Sequence, residues 1–182
     1  MKIKDLLLLT ESKSAPLYHA TQAGEASEII SDNKLYGYTI HTINDTDYKG
    51  VSLTRSLQFA KNWVGNVYGN GGVIFELDQE KLNQKYKIVP IDYFSTSSRS
   101  KDPKDARRQG KFAEAEEFAI TPKIDNLDQY IVHILIVANI ANEWKQRLEQ
   151  EKSGGKDYCV SFTKRRCDDI RTILNHPKLK II

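Results

Sequence analysis

Three places in this chain hold side chains able to do chemistry. The first is Leu17-Tyr18-His19-Ala20-Thr21, a β-prone run carrying one imidazole and two hydroxyls. An imidazole can hold a ligand hydroxyl or exchange a proton near neutral pH, although a histidine alone on a strand is commonly structural. The second is Ser52-Leu53-Thr54, where spacing by two puts both hydroxyls on one strand face, able to bond each other, a neighbouring backbone or a ligand. The third is Ala113-Glu114-Ala115-Glu116-Glu117-Phe118-Ala119-Ile120, in which strand alternation sends Glu114 and Glu116 one way and Glu117 the other. Three carboxylates in four residues repel one another, so this cluster is either solvated or holds a carboxylate with work to do. Glu117 is the best candidate, because Phe118-Ala119-Ile120 carries the strand into the core directly after it. A carboxylate at such a border can stay ionised and stabilise a developing cation. Phe59 and Trp63, one helical turn apart, are core residues by default, yet a ring at a pocket edge can stack on a planar ligand.

The elements that must position these residues follow from the pattern of apolar side chains. Ala23, Ala26, Ile29 and Ile30 recur at helical spacing, and Ser31-Asp32-Asn33 ends that helix. Lys34-Leu35-Tyr36-Gly37 reads as a turn, and 40–49, rich in Thr, Asn and Asp, as a loop. Gly50 to Arg55 alternates as a strand does, and Ser56 can cap a following helix with Phe59, Ala60 and Trp63 on one face. Gly69-Asn70-Gly71-Gly72 is a hairpin-like break before the strand Val73-Ile74-Phe75-Glu76-Leu77. A brief helical turn with Leu82 comes next, then an edge strand at 86–91 ended by Pro90. Residues 95–111 carry six Lys or Arg and almost nothing to bury, which predicts an exposed loop. Tyr130 to Val137 is long and apolar enough for a central strand. Ala138 to Lys152 is the clearest helix, stopped by Gly154-Gly155. Tyr158 to Phe162 predicts one more strand, and Lys164-Arg165-Arg166 opens a last helix ending near Asn175.

The composition is that of a globular chain rather than a membrane or disordered one. With 182 residues, 40% hydrophobic and 28% charged, it fits one domain able to bury a core. No apolar stretch approaches the roughly 20 residues of a membrane span. The apolar start at 1–15 is short, contains Asp5 and lacks a cleavage site, and reads as a tether or short helix ahead of a single domain over 16–182. Two cysteines, Cys159 and Cys167, are too few for a disulfide framework and stand in no metal-ligand spacing with the four histidines, so a reducing cytoplasmic setting is the default. A net charge of +3 tolerates a polyanion without announcing one.

Taken in order, Tyr18-His19-Ala20-Thr21, then Gly50-Val51-Ser52-Leu53-Thr54-Arg55 with its aromatic-bearing helix, then Glu117-Phe118-Ala119-Ile120 ahead of Tyr130-Ile131 resemble the ADP-ribosyltransferase superfamily. Its signature strands carry His-Tyr-Glu or Arg-Ser-Glu, and the likeness covers 17–137. The resemblance implies an α+β fold, a split β-sheet core flanked by helices, here with a C-terminal helical and strand extension. It also implies NAD as substrate. His19 would hold the ribose of the adenosine half, with Thr21 beside the same sugar. Ser52 and Thr54 match the serine-type second signature, and Phe59 or Trp63 would close the nicotinamide pocket, a hybrid of the two patterns. Glu117 matches the catalytic glutamate. Were Glu116 catalytic instead, Glu114 would supply the partner two residues earlier that arginine-modifying members carry. With Glu117 that position is Ala115, and arginine specificity is unsupported.

The basic loop, with Arg107 and Arg108, stands where the family has its target-recognition loop, suited to an acidic protein surface or a nucleic acid. The implied activity is mono-ADP-ribosyl transfer from NAD to a macromolecular acceptor, protein or nucleic acid. Similarity to small phage-encoded, toxin-like members would place it in a host cytoplasm, with an inhibitory partner left open. Two other readings stand beside it: an RNA 2'-phosphotransferase, which would not need Glu117, and a non-catalytic binding module that keeps the fold.

Overall fold

The computed structural model describes residues 15–41, 47–66, 71–90, 116–153 and 164–182. The chain is a mixed α+β fold built on one large sheet. Its strands are β1 (Leu17–Gln22), β4 (Asp47–Thr54), β5 (Gly72–Leu77), β6 (Ile88–Pro90), β7 (Glu116–Ala119), β9 (Ile131–Ile136) and β10 (Leu179–Ile181). They run in the order β10-β9-β5-β1-β4-β7-β6, and β3 (Tyr38–His41) pairs with the start of β4. All pairings are antiparallel except β10 with β9. A two-stranded sheet joins β2 (Lys34–Tyr36) to β8 (Lys123–Asp125).

Among the described residues, five α-helices cover this frame: α1 (Ala23–Asp32), α2 (Leu57–Asn66), α3 (Gln79–Lys85), α4 (Ala138–Lys152) and α5 (Lys164–Leu174). The core lies where β5, β1 and β9 meet the helices, with Phe75, Leu17, Ile74, Leu77 and Ile134 almost wholly buried. α1 ends as its polar cap predicts. Asn33 takes the left-handed conformation at φ 54°, and its N–H donates to the carbonyls of Ile29 and Ile30. Ser56 caps α2, its Oγ accepting from the N–H of Phe59 at 3.1 Å.

Several sequence expectations change. Residues 34–36 are strand β2 rather than a turn, because Leu35 is fully buried and pairs with Ile124. Much of the expected loop at 40–49 is strand, since β3 and the first half of β4 hydrogen-bond as a hairpin. Their polar composition hid the pairing. Gly37 makes the close approach possible: a Cβ there would stand 2.7 Å from the Gly50 carbonyl and 2.8 Å from that of Thr121.

The strand at 131–136 is next to the edge rather than central, because the last residues return as β10 and pair beside it. The C-terminal segment is accordingly part of the main sheet and not an extension of it. Cys167 is buried and disulfide-bonded, against the default of reduced thiols. The expectations for 1–14, 67–70, 91–115 and 154–163, including the basic loop, Arg107, Arg108 and Cys159, lie outside the described residues. No described helix is long and apolar enough to cross a membrane.

Candidate functional site

β1 meets its two neighbours in different ways. Against β5 it is laddered over six pairs from Leu17↔Leu77 to Gln22↔Gly72. Against β4 the register holds one pair, Tyr18↔Thr54. Beyond that pair the imidazole of His19 takes over the bonding. Its Nδ1 lies 2.8 Å from the Ser52 carbonyl, and since a carbonyl only accepts, Nδ1 must carry the proton. In the neutral ring that leaves Nε2 as an acceptor. Burial pushes the His19 pKa down, outweighing the Ser52 bond and the field of Glu25, so the neutral ring is favoured.

A cavity of about 550 Å³ opens at this junction. It is lined by His19 and Thr21 from β1, Ser52 and Thr54 from β4, and Phe59 and Trp63 from α2. These are the six residues singled out as cofactor-binding in the sequence. Two local devices bring them there. The Thr54 hydroxyl accepts from the Ser56 N–H at 3.1 Å, closing a turn that swings the chain from β4 into α2. α2 then lays Phe59 and Trp63 along the wall with ring centroids 5.7 Å apart and planes inclined by 36°. Neither ring is fully buried, which distinguishes them from the core aromatics Phe75 and Phe118.

The cavity also has walls that the sequence reading missed. Glu25, Glu28 and Asp32 line it from α1, at the i, i+3, i+7 spacing of one helix face. That signal was present beside the apolar face of the same helix. Glu25 accepts from the Thr21 hydroxyl, which itself is only 2% exposed. Tyr36 and Tyr38, exposed by 56% and 44%, stand at the rim. Tyr18 lines it as well, although it precedes His19 directly. No lysine or arginine is among the described lining residues. Nor does any cluster of three or more metal-ligating side chains occur among the described residues.

Position 117 lies on β7, one strand beyond β4. Glu117 pairs with Leu53 and Glu116 with Thr54. Paired positions of an antiparallel ladder share a face and neighbours along a strand alternate. Thr54 also pairs with Tyr18, so position 116 falls on the face of Tyr18 and position 117 on the face of His19. Glu114 and Ala115 lie outside the described residues. Compared with known proteins, the chain matches no family model, no curated protein and no solved structure.

Proposed function

We propose that this protein is a mono-ADP-ribosyltransferase that moves ADP-ribose from NAD to a macromolecular acceptor and releases nicotinamide. The reading is carried by one observation: the six residues chosen for an NAD site, scattered between 19 and 63, line a single cavity beside a strand bearing Glu117. His19 suits a sugar hydroxyl, because its bond to Ser52 leaves Nε2 free to accept. Trp63 and Phe59 suit a planar ring. The acidic α1 wall suits the cationic nicotinamide end of NAD better than its diphosphate.

In the reaction the bond between nicotinamide and C1' of its ribose breaks, and the electron pair leaves with the ring nitrogen, neutralising it. The carboxylate of Glu117 stabilises the positive charge that develops on the sugar. The acceptor forms the new bond to C1' and gives up its proton. An RNA 2'-phosphotransferase is less well supported, since arginine-dependent phosphate chemistry finds no arginine among the described lining residues.

Incubation with labelled NAD and separate pools of protein, RNA and DNA tests this reading, with Glu117→Gln as control. Label is expected in one pool with wild type and in none with the variant. NAD that neither raises the melting temperature nor yields nicotinamide would overturn the proposal and leave the non-catalytic module.

A further inference from the structure

Tyr18 is an anomaly of the cavity lining. It is 8% exposed, yet its hydroxyl makes no hydrogen bond with any described residue. The residue is buried, and a hydroxyl left without a protein partner on a residue that lines a cavity points to a partner that enters the cavity. Tyr18 pairs with Glu76 on β5 and with Thr54 on β4, one step before β1 and β4 cease to ladder. On the β4 side the Thr54 hydroxyl accepts from the Ser56 N–H. On the β5 side the Glu76 carboxylate accepts from Nδ1 of His133 at 2.7 Å. The charge of Glu76 and the burial of the ring, burial being the larger cause, raise the Tyr18 pKa. The phenol therefore keeps its proton and remains a donor.

We infer that the Tyr18 hydroxyl is a ligand-binding donor of this cavity, directed to an uncharged oxygen acceptor of the substrate, a carboxamide or a sugar oxygen. A phosphate oxygen fits poorly, because Glu76 stands beside the phenol and Glu25, Glu28 and Asp32 occupy the same cavity. NAD offers both kinds of uncharged acceptor, the nicotinamide carboxamide and the ribose oxygens, so the inference rests on the NAD reading. It adds a residue that the signature positions do not include.

Tyr18→Phe removes the oxygen and nothing else. Isothermal titration of the wild-type protein and this variant with NAD, nicotinamide alone and ADP-ribose alone separates the sources. We expect NAD affinity to fall roughly tenfold, the scale of one hydrogen bond to a ligand. A loss shared with nicotinamide alone assigns the carboxamide, and one shared with ADP-ribose alone assigns the sugar. The melting temperature of the ligand-free variant should stay level or rise, because the removed hydroxyl had no partner; a tyrosine with a structural bond would give a fall. Tyr18→Met, which keeps an apolar side chain of similar reach, stands in if the phenylalanine variant misfolds. Unchanged affinity for all three ligands overturns the role of Tyr18 and leaves the NAD reading intact. Failure of wild type to bind NAD overturns both.

Discussion

The two edges of β1 use the same strand for opposite ends. Toward β5, six consecutive pairs bring Leu17, Phe75, Leu77 and Val73 into the core, each with no exposed surface. Toward β4, one pair is followed by an imidazole-to-carbonyl bond and a cavity. A ladder satisfies every backbone group and leaves no room for a ligand. Interrupting it frees backbone and side-chain groups and opens space, at a cost in cohesion that the β5 side offsets. Stability should therefore be concentrated on one edge and, under the proposed function, chemistry on the other.

The largest effect should come from the chemical edge. Glu117→Gln keeps the shape of the side chain and removes its charge, so turnover should fall on the order of a hundred- to a thousandfold while NAD affinity stays within a few fold. Nicotinamide release under saturating NAD measures the first and titration the second. Wild-type turnover in this variant would move the chemistry to Glu116 or away from β7 altogether.

The matching substitution on the structural edge is Phe75→Ala. Phe75 is fully buried between β1 and β9. Truncation should cost about 3–5 kcal/mol in denaturant unfolding. Any protein that remains folded should bind NAD with nearly wild-type affinity, because Phe75 does not line the cavity. Loss of affinity in the folded fraction would show that the two edges are coupled.

His19→Ala sits at the boundary and should divide its effect. It removes a hydrogen bond to Ser52 and a lining group together, so we expect about 1 kcal/mol of stability lost and a roughly tenfold weaker Kd for NAD. A stability loss as large as that of Phe75→Ala would place His19 with the core rather than with the site.

How far the sequence foretold this arrangement depends on the kind of signal. Helices α1, α2 and α4 were legible from apolar spacing and from caps, and the buried run of β5 from its β-branched and aromatic residues. β2, β3 and β10 were not, because short strands such as Lys34–Tyr36 and Leu179–Ile181 acquire their identity from partners far away in sequence. The cavity residues were legible as types and order. The acidic wall and Tyr18 were overlooked for different reasons. Glu25, Glu28 and Asp32 look like an ordinary solvated helix face until the strand gap is placed beside them. Tyr18 alternates with His19 and so belongs, on strand logic alone, to the other side of the sheet. Both nonetheless line one cavity, at the point where the β1–β4 ladder ends.

The smallest effect is the most specific to that interruption. Burial lowers the His19 pKa from its ordinary 6.5. Between the lowered folded value and 6.5 the unfolded chain binds more protons than the folded one, so stability rises with pH across that window. The contribution is complete above about 6.5 and is lost progressively as pH falls toward the folded value. His176 is lowered too, by burial and by Lys178, and titrates in the same direction. The difference between wild type and His19→Gln isolates the first. Glutamine does not titrate, so the stability advantage of wild type measured at pH 7.5 should shrink at pH 5.5. His176→Gln in the same background should leave that shrinkage unchanged. A constant advantage across the range would mean that the imidazole is as well solvated folded as unfolded, and the open edge of β1 would then be wetter than its bond to Ser52 implies.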